Sequence, residues 1–146
     1  MSKPPELIMS LNVSDGKQAL EFYAQAFGAE PVESVFTEEG ILLHAEMKVG
    51  ESRLMFSSEI PEMDAPSAAR VGASPTLQCI ETDEVDALYE QAVAAGAEVL
   101  MPLADQFWGA RCATLRDPFG YRWNLTKQIR EVSAEEVIRG AKEMMG

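Results

Sequence analysis

From Leu7 to Val13 the chain alternates. Leu7, Met9, Leu11 and Val13 fall on one side of an extended segment, Ile8, Ser10 and Asn12 on the other, which predicts a half-buried strand over residues 6–13. Ser14 and Asp15 then offer side-chain oxygens to the first turn of a helix. Ala19, Leu20, Tyr23, Ala24 and Phe27 recur at helical spacing, and Gly28 supplies the residue on which such a helix ends. Strands are predicted at about 31–36, 41–49 and 52–57, separated by Thr37-Glu38-Glu39-Gly40 and by Gly50-Glu51. Residues 59–74, with Pro61, Pro66 and Gly72 and no clear period, read as a linker running over the surface.

The order then repeats. A strand over 76–82 leads to a helix capped by Asp83, carrying Val85, Leu88, Ala92 and Ala95 and ended by Gly96. Strands follow at 97–101, 111–116 and 121–126. Ala19-Leu20 and Gly28-Ala29-Glu30 return as Ala87-Leu88 and Gly96-Ala97-Glu98 at a constant offset of 68. The chain is therefore read as an α+β domain of two tandem βαβββ modules, about 6–58 and 75–127, in one curved mixed sheet around a shared cavity. One helix covers only one face of a four-stranded sheet, so the uncovered faces form a cup suited to a ligand. A terminal helix over 133–145 opens on Ser133-Ala134-Glu135-Glu136, a capping-box pattern. Its apolar stripe is expected to pack on its own domain or on a second subunit.

The centre of the pattern is Asp117-Pro118-Phe119-Gly120-Tyr121-Arg122-Trp123-Asn124-Leu125. Asp and Pro start a turn that Gly120 closes, and the strand beyond it alternates. Trp123 and Leu125 belong to the core. Arg122, Asn124 and Thr126 face the cup.

Composition narrows the chemistry. Twenty-four acidic residues stand against 12 basic ones, a net charge of −12. Such a surface repels nucleic-acid phosphates and anionic lipid, so neither is expected as a partner, while a cationic small molecule is tolerated. No apolar run reaches the roughly 18 residues of a membrane span, and the N-terminus lacks the shape of a signal peptide; the cytoplasm is the expected compartment. Cys79 and Cys112 lie in apolar strand-like stretches and read as small buried residues.

The duplicated modules, with Ala19-Leu20-Glu21-Phe22-Tyr23, His44-Ala45-Glu46-Met47, Met101-Pro102-Leu103, Asp105-Gln106-Phe107-Trp108-Gly109 and Asp117 to Trp123, resemble the vicinal oxygen chelate superfamily. That superfamily holds glyoxalase I, bleomycin-resistance proteins and extradiol dioxygenases; within it the chain is most similar to the PhnB-like branch. The resemblance covers about residues 6–127 and implies paired modules assembled as a homodimer. It also implies a divalent metal held by His or Glu from four strands. Carried onto this sequence, those positions fall on Ile8, about Leu54, about Thr76 and Asn124. Such ions want several imidazole or carboxylate donors, and this set supplies none. No cofactor is therefore predicted. A rearranged divalent-metal site, if one forms, would draw on His44, Glu46 and Asn124.

His44, the single histidine, and Glu46 stand two apart on one strand and share a face, as an acid–base pair, the start of a metal site, or a structural pair would. Phe107 and Trp108 either stack on a flat ligand or seal an edge or a dimer. Arg122 and Asn124, with Ser10, Asn12 and Gln78 opposite, are placed to orient a polar ligand. These nine residues are the candidate ligand-binding set. The expected function is metal-free binding of a small molecule. The alternative is a metal-dependent lyase, isomerase or dioxygenase using His44 and Glu46, and a plainer third reading is a structural or regulatory dimer with a vestigial cup.

Overall fold

The structure is a computed structural model that describes residues 2–146. Module one runs β1 (Met9–Val13), α1 (Gly16–Phe27), β2 (Glu30–Phe36), β3 (Leu42–Val49) and β4 (Ser52–Ser58). Module two runs β5 (Leu77–Glu81), α3 (Val85–Ala94), β6 (Glu98–Asp105), β7 (Ala110–Arg116) and β8 (Arg122–Gln128). The two four-stranded sheets have the orders β1-β4-β3-β2 and β5-β8-β7-β6, each with one parallel pair among antiparallel ones. They are separate sheets, because among the described residues no ladder joins the β1 edge to the β5 edge. The tandem βαβββ organisation and the α+β class read from the sequence hold.

Local chemistry explains the ends of α1. Asp15 accepts the Gln18 N–H at 3.0 Å. Gly28 takes φ +68 and donates to Ala24 O, while Ala29 N bonds Tyr23 O, so two carbonyls of the last turn are satisfied. At α3 the cap differs from expectation. Glu84, not Asp83, holds the N-cap position, and Thr82 Oγ1 accepts its N–H at 3.1 Å. The first strand is also shorter than predicted: Leu7 lies before β1 and is fully exposed.

α1 and α3 lie on the buried faces of the sheets and against each other, with Gln91 Nε2 donating to Gln25 O at 2.9 Å. The core runs continuously through both modules. Phe27 meets Trp123 at 4.6 Å between ring centroids, and Tyr23 packs on Phe56, Phe119 and Trp123. Each such aromatic contributes about 1.5–3 kcal/mol by leaving water.

Residues 59–74 are not the plain surface linker predicted. They hold a 3₁₀ turn at Pro61–Met63 and a short helix, α2 (Ala68–Val71), capped by Ser67. Ala68 and Ser67 are buried, and Ala69 N donates to Phe119 O at 2.8 Å. The segment therefore docks on the Asp117–Gly120 turn. The terminal helix α4 (Ala134–Met145) begins as predicted, with Ser133 Oγ accepting the Glu136 N–H. It buries none of its residues: Ile138, Met144 and Met145 are exposed, Gly140 lies against the Phe107 ring, and Glu136 reaches Arg130 at 3.7 Å. No helix among the described residues is long and apolar enough to cross a membrane.

Candidate functional site

Strand register decides which side chains share a face. On module one, Ser10 pairs with Met55, Asn12 with Ser57, and Glu46 with Met55, so Ser10, Asn12 and Glu46 lie on the face opposite the core. His44 stands two residues from Glu46 on β3 and is half-buried, as Glu46 is. On module two, Asn124 pairs with Cys79 and Thr114, and Arg122 with Leu77 and Arg116, again away from the core.

Gln78 is a correction. It pairs with Trp123 and shares the core face, 4 % exposed. Its amide donates to Arg122 O at 2.9 Å, and its carbonyl accepts from Thr76 Oγ1 at 2.7 Å. Cys79 takes the outward place instead, so it is exposed where a buried residue was expected; Cys112 is buried as read. The same register removes Leu54 from the outward face, since it pairs with Met9 and is 3 % exposed in the core. Thr76 precedes β5 and is bound to Gln78.

Most outward polar groups already have partners. Glu46 receives Arg53 through Nε at 3.2 Å and Nη2 at 2.9 Å, and this guanidinium holds its carboxyl below the usual range. Arg53 also reaches Glu6 at 3.5 Å. Asn124 Nδ2 donates to Ala113 O and Thr114 Oγ1. Asn12 Oδ1 accepts from Ser57, and its backbone N–H and C=O both bond Tyr121 OH, which ties the β1 edge to module two. Arg122 Nε donates to Ser74 O. Phe107 and Trp108 meet edge to face at 4.9 Å; Phe107 seats α4, and Trp108 is 39 % exposed. Arg111, beside Cys112, is held by Asp86 and Asp105, and burial pushes the Cys112 thiol up, so that cysteine is no activated nucleophile.

A four-strand metal site does not fit these residues. Of the four family positions, Ile8 carries no donor, Leu54 is buried in the core, Thr76 is bound to Gln78, and Asn124 spends its N–H groups on the sheet. His44 and Glu46 lie on β3 of one sheet and Asn124 on β8 of the other. Among the described residues, no three of His, Cys, Asp or Glu gather around one point.

A cavity of ligand size lies elsewhere. A cleft of about 610 Å³ opens between the modules, where the β3–β4 hairpin and the start of β1 face the end of β5 and α3. Its apolar floor includes Met9, Phe27, Leu54, Ile80, Leu88 and Trp123. Arg53, Cys79, Glu81 and Glu84 stand among the polar residues around it. None of the nine sequence candidates lines it. The hint in the sequence was the repeated unit itself, because two copies packed helix to helix leave a seam.

Sequence reading also treated Asp117 only as a turn residue. It is 4 % exposed and accepts four bonds: Tyr23 OH at 2.6 Å, Trp123 Nε1 at 2.8 Å, and the N–H groups of Phe119 and Tyr121 at 2.9 Å. It is a structural clamp between α1 of one module and the turn of the other.

Comparison with known proteins agrees with this architecture. Residues 7–125 match the family of the Glyoxalase/Bleomycin resistance protein/Dioxygenase superfamily, and the chain belongs to that superfamily. An uncharacterised protein of Mycobacterium bovis is 33 % identical over 136 residues, which is 91 % of this chain and 90 % of that one. Among solved structures, TioX from Micromonospora sp. ML1 superposes with a TM-score of 0.66 at 21 % identity, over 86 % of this chain and all of that one. The fosfomycin resistance protein FosX of Listeria monocytogenes, solved with Mn(II) and sulfate, gives 0.63 at 16 % identity over 94 % of this chain and 98 % of that one. At these identities the structures share the fold.

Proposed function

We propose that this chain is a small-molecule-binding member of its superfamily that works without the superfamily's metal, that it belongs to the PhnB-like branch, and that it acts as a cytoplasmic homodimer. The observation that carries the binding role is the cleft. Its volume lies in the range of small-molecule sites, and an apolar floor with a few polar groups is what such sites present. The donor set supports the metal-free part: one histidine, a carboxylate clamped by Arg53, and an amide committed to its own sheet. The exposed stripe of α4 supports the dimer, since Ile138, Met144 and Met145 lack cover within the chain.

A second reading keeps the metal. FosX carries Mn(II) on this fold, and His44 and Glu46 do share a face here. It requires Glu46 to leave Arg53.

Thermal denaturation against a panel of aromatic and cationic metabolites and antibiotics tests the binding role. At least one compound is expected to raise the melting temperature; ligand at 100 times its Kd adds about 2.7 kcal/mol. Ala87→Trp, an exposed position on the cleft wall, is expected to remove the shift by filling the space. A panel that moves nothing contradicts the proposal. A shift that survives Ala87→Trp places the ligand on the outward polar residues Ser10, Asn12, His44, Glu46, Arg122 and Asn124.

A further inference from the structure

We infer that the inter-module cleft selects a small organic cation with a flat or branched apolar body, and that Glu81 and Glu84 supply the selecting charge. The inference rests on the proposal that the cleft takes a small molecule, and it adds the class. Leu54, Leu88 and Trp123 form an apolar floor that rewards a hydrocarbon or aromatic body. Glu81 ends β5 and Glu84 caps α3, and both line the cleft. Neither carboxylate has a cationic partner within 4.0 Å among the described residues.

Acids outnumber the cationic groups nearby. Arg53, the one cation on the lining among the described residues, divides its guanidinium between Glu46 and Glu6. Lys127 shares a separate hollow with Glu81 and Asp83, where acids again outnumber it. The α3 N-terminus carries the positive end of a helix dipole, but Glu84 sits on that end and Asp86 lies in the first turn beside Arg111. What remains is an apolar slot with two carboxylates on its lining that make no ion pair among the described residues, on a chain of net charge −12.

Cys79 makes the inference measurable at the site. It lines the cleft and is exposed, whereas Cys112 is 1 % exposed, so iodoacetamide reads Cys79 selectively. Two probes are compared: thioflavin T, a flat aromatic cation, and 1-anilinonaphthalene-8-sulfonate, an aromatic anion. Thioflavin T is expected to bind saturably and to slow Cys79 alkylation several-fold, the anion to do neither. Glu81→Gln with Glu84→Gln is expected to weaken thioflavin T about tenfold. Added salt is expected to weaken it too. Equal protection by the anion, or an unchanged dye affinity in the double variant, overturns the cationic class and leaves the cleft as a binding site. No protection by either dye overturns both.

Discussion

Asp117→Ala is expected to lower the unfolding free energy by about 3–5 kcal/mol, and the melting temperature by roughly 10–15 °C, because the deletion strands buried donors that nothing else can reach. Tyr23 OH, Trp123 Nε1 and two turn N–H groups all point at this one carboxylate. Alanine removes the one acceptor they share. Tyr23→Phe removes one donor and is expected to cost about 1–2 kcal/mol. In the double variant the two losses should not add, since both break the same bond; a coupling of about 1–3 kcal/mol is expected from denaturant melts. The pH dependence has a definite sign. Burial holds the Asp117 carboxyl above its ordinary range, against the pull of its hydrogen bonds. The folded chain therefore holds this proton more tightly than the unfolded chain. The favourable contribution is present below the unfolded value and is lost as pH rises through the folded one. Glu46, Glu59 and Asp86, held low by arginines, act in the opposite sense, and their contributions are lost as pH falls. Full additivity of the Tyr23 and Asp117 variants would show that the clamp does not exist.

Gly120→Ala is expected to cost a similar 3–5 kcal/mol, for two separable reasons. Gly120 has φ +93, a conformation that costs an L residue about 1–2 kcal/mol. A Cβ there would also stand 2.3 Å from Ala69 N and 2.7 Å from Ala68 C, which forces α2 off the turn and breaks the Ala69–Phe119 bond. Gly40→Ala separates the two terms. Gly40 has φ +88 and nothing within 4 Å of its absent Cβ, so only the backbone cost of about 1–2 kcal/mol is expected. Equal losses in the two variants would mean that the docking of α2 contributes nothing.

These two residues show where the sequence was legible. Asp117 and Gly120 were visible as turn formers because turn chemistry is local. Their long-range partners were not, because Tyr23 lies 94 residues from Asp117 and nothing in the spacing links them. The helix ends at Asp15, Gly28 and Ser133 were readable for the same local reason. Parity was harder. Trp123 and Leu125 went inward as read, but Gln78 did too, since a buried amide with two partners is as well satisfied as an exposed one. Leu54 and Cys79 moved by the same rule: a strand shifted by one residue exchanges its faces. The segment 59–74 looked structureless because α2 has only four residues, too short to show a period. The cleft lay beyond reach for a different reason. It belongs to the packing of one module on the other, and no stretch of sequence encodes its walls together.

Elemental analysis of untagged protein, purified without added metal and paired with melting in the presence of a chelator, bears most directly on the proposal of metal-free binding. Substoichiometric Mn, Fe, Ni and Zn, with a melting temperature that the chelator does not move, is the expected result. One equivalent of a divalent ion per chain, lost together with stability in His44→Ala, would contradict it and place the chain among the metal-dependent enzymes of its superfamily.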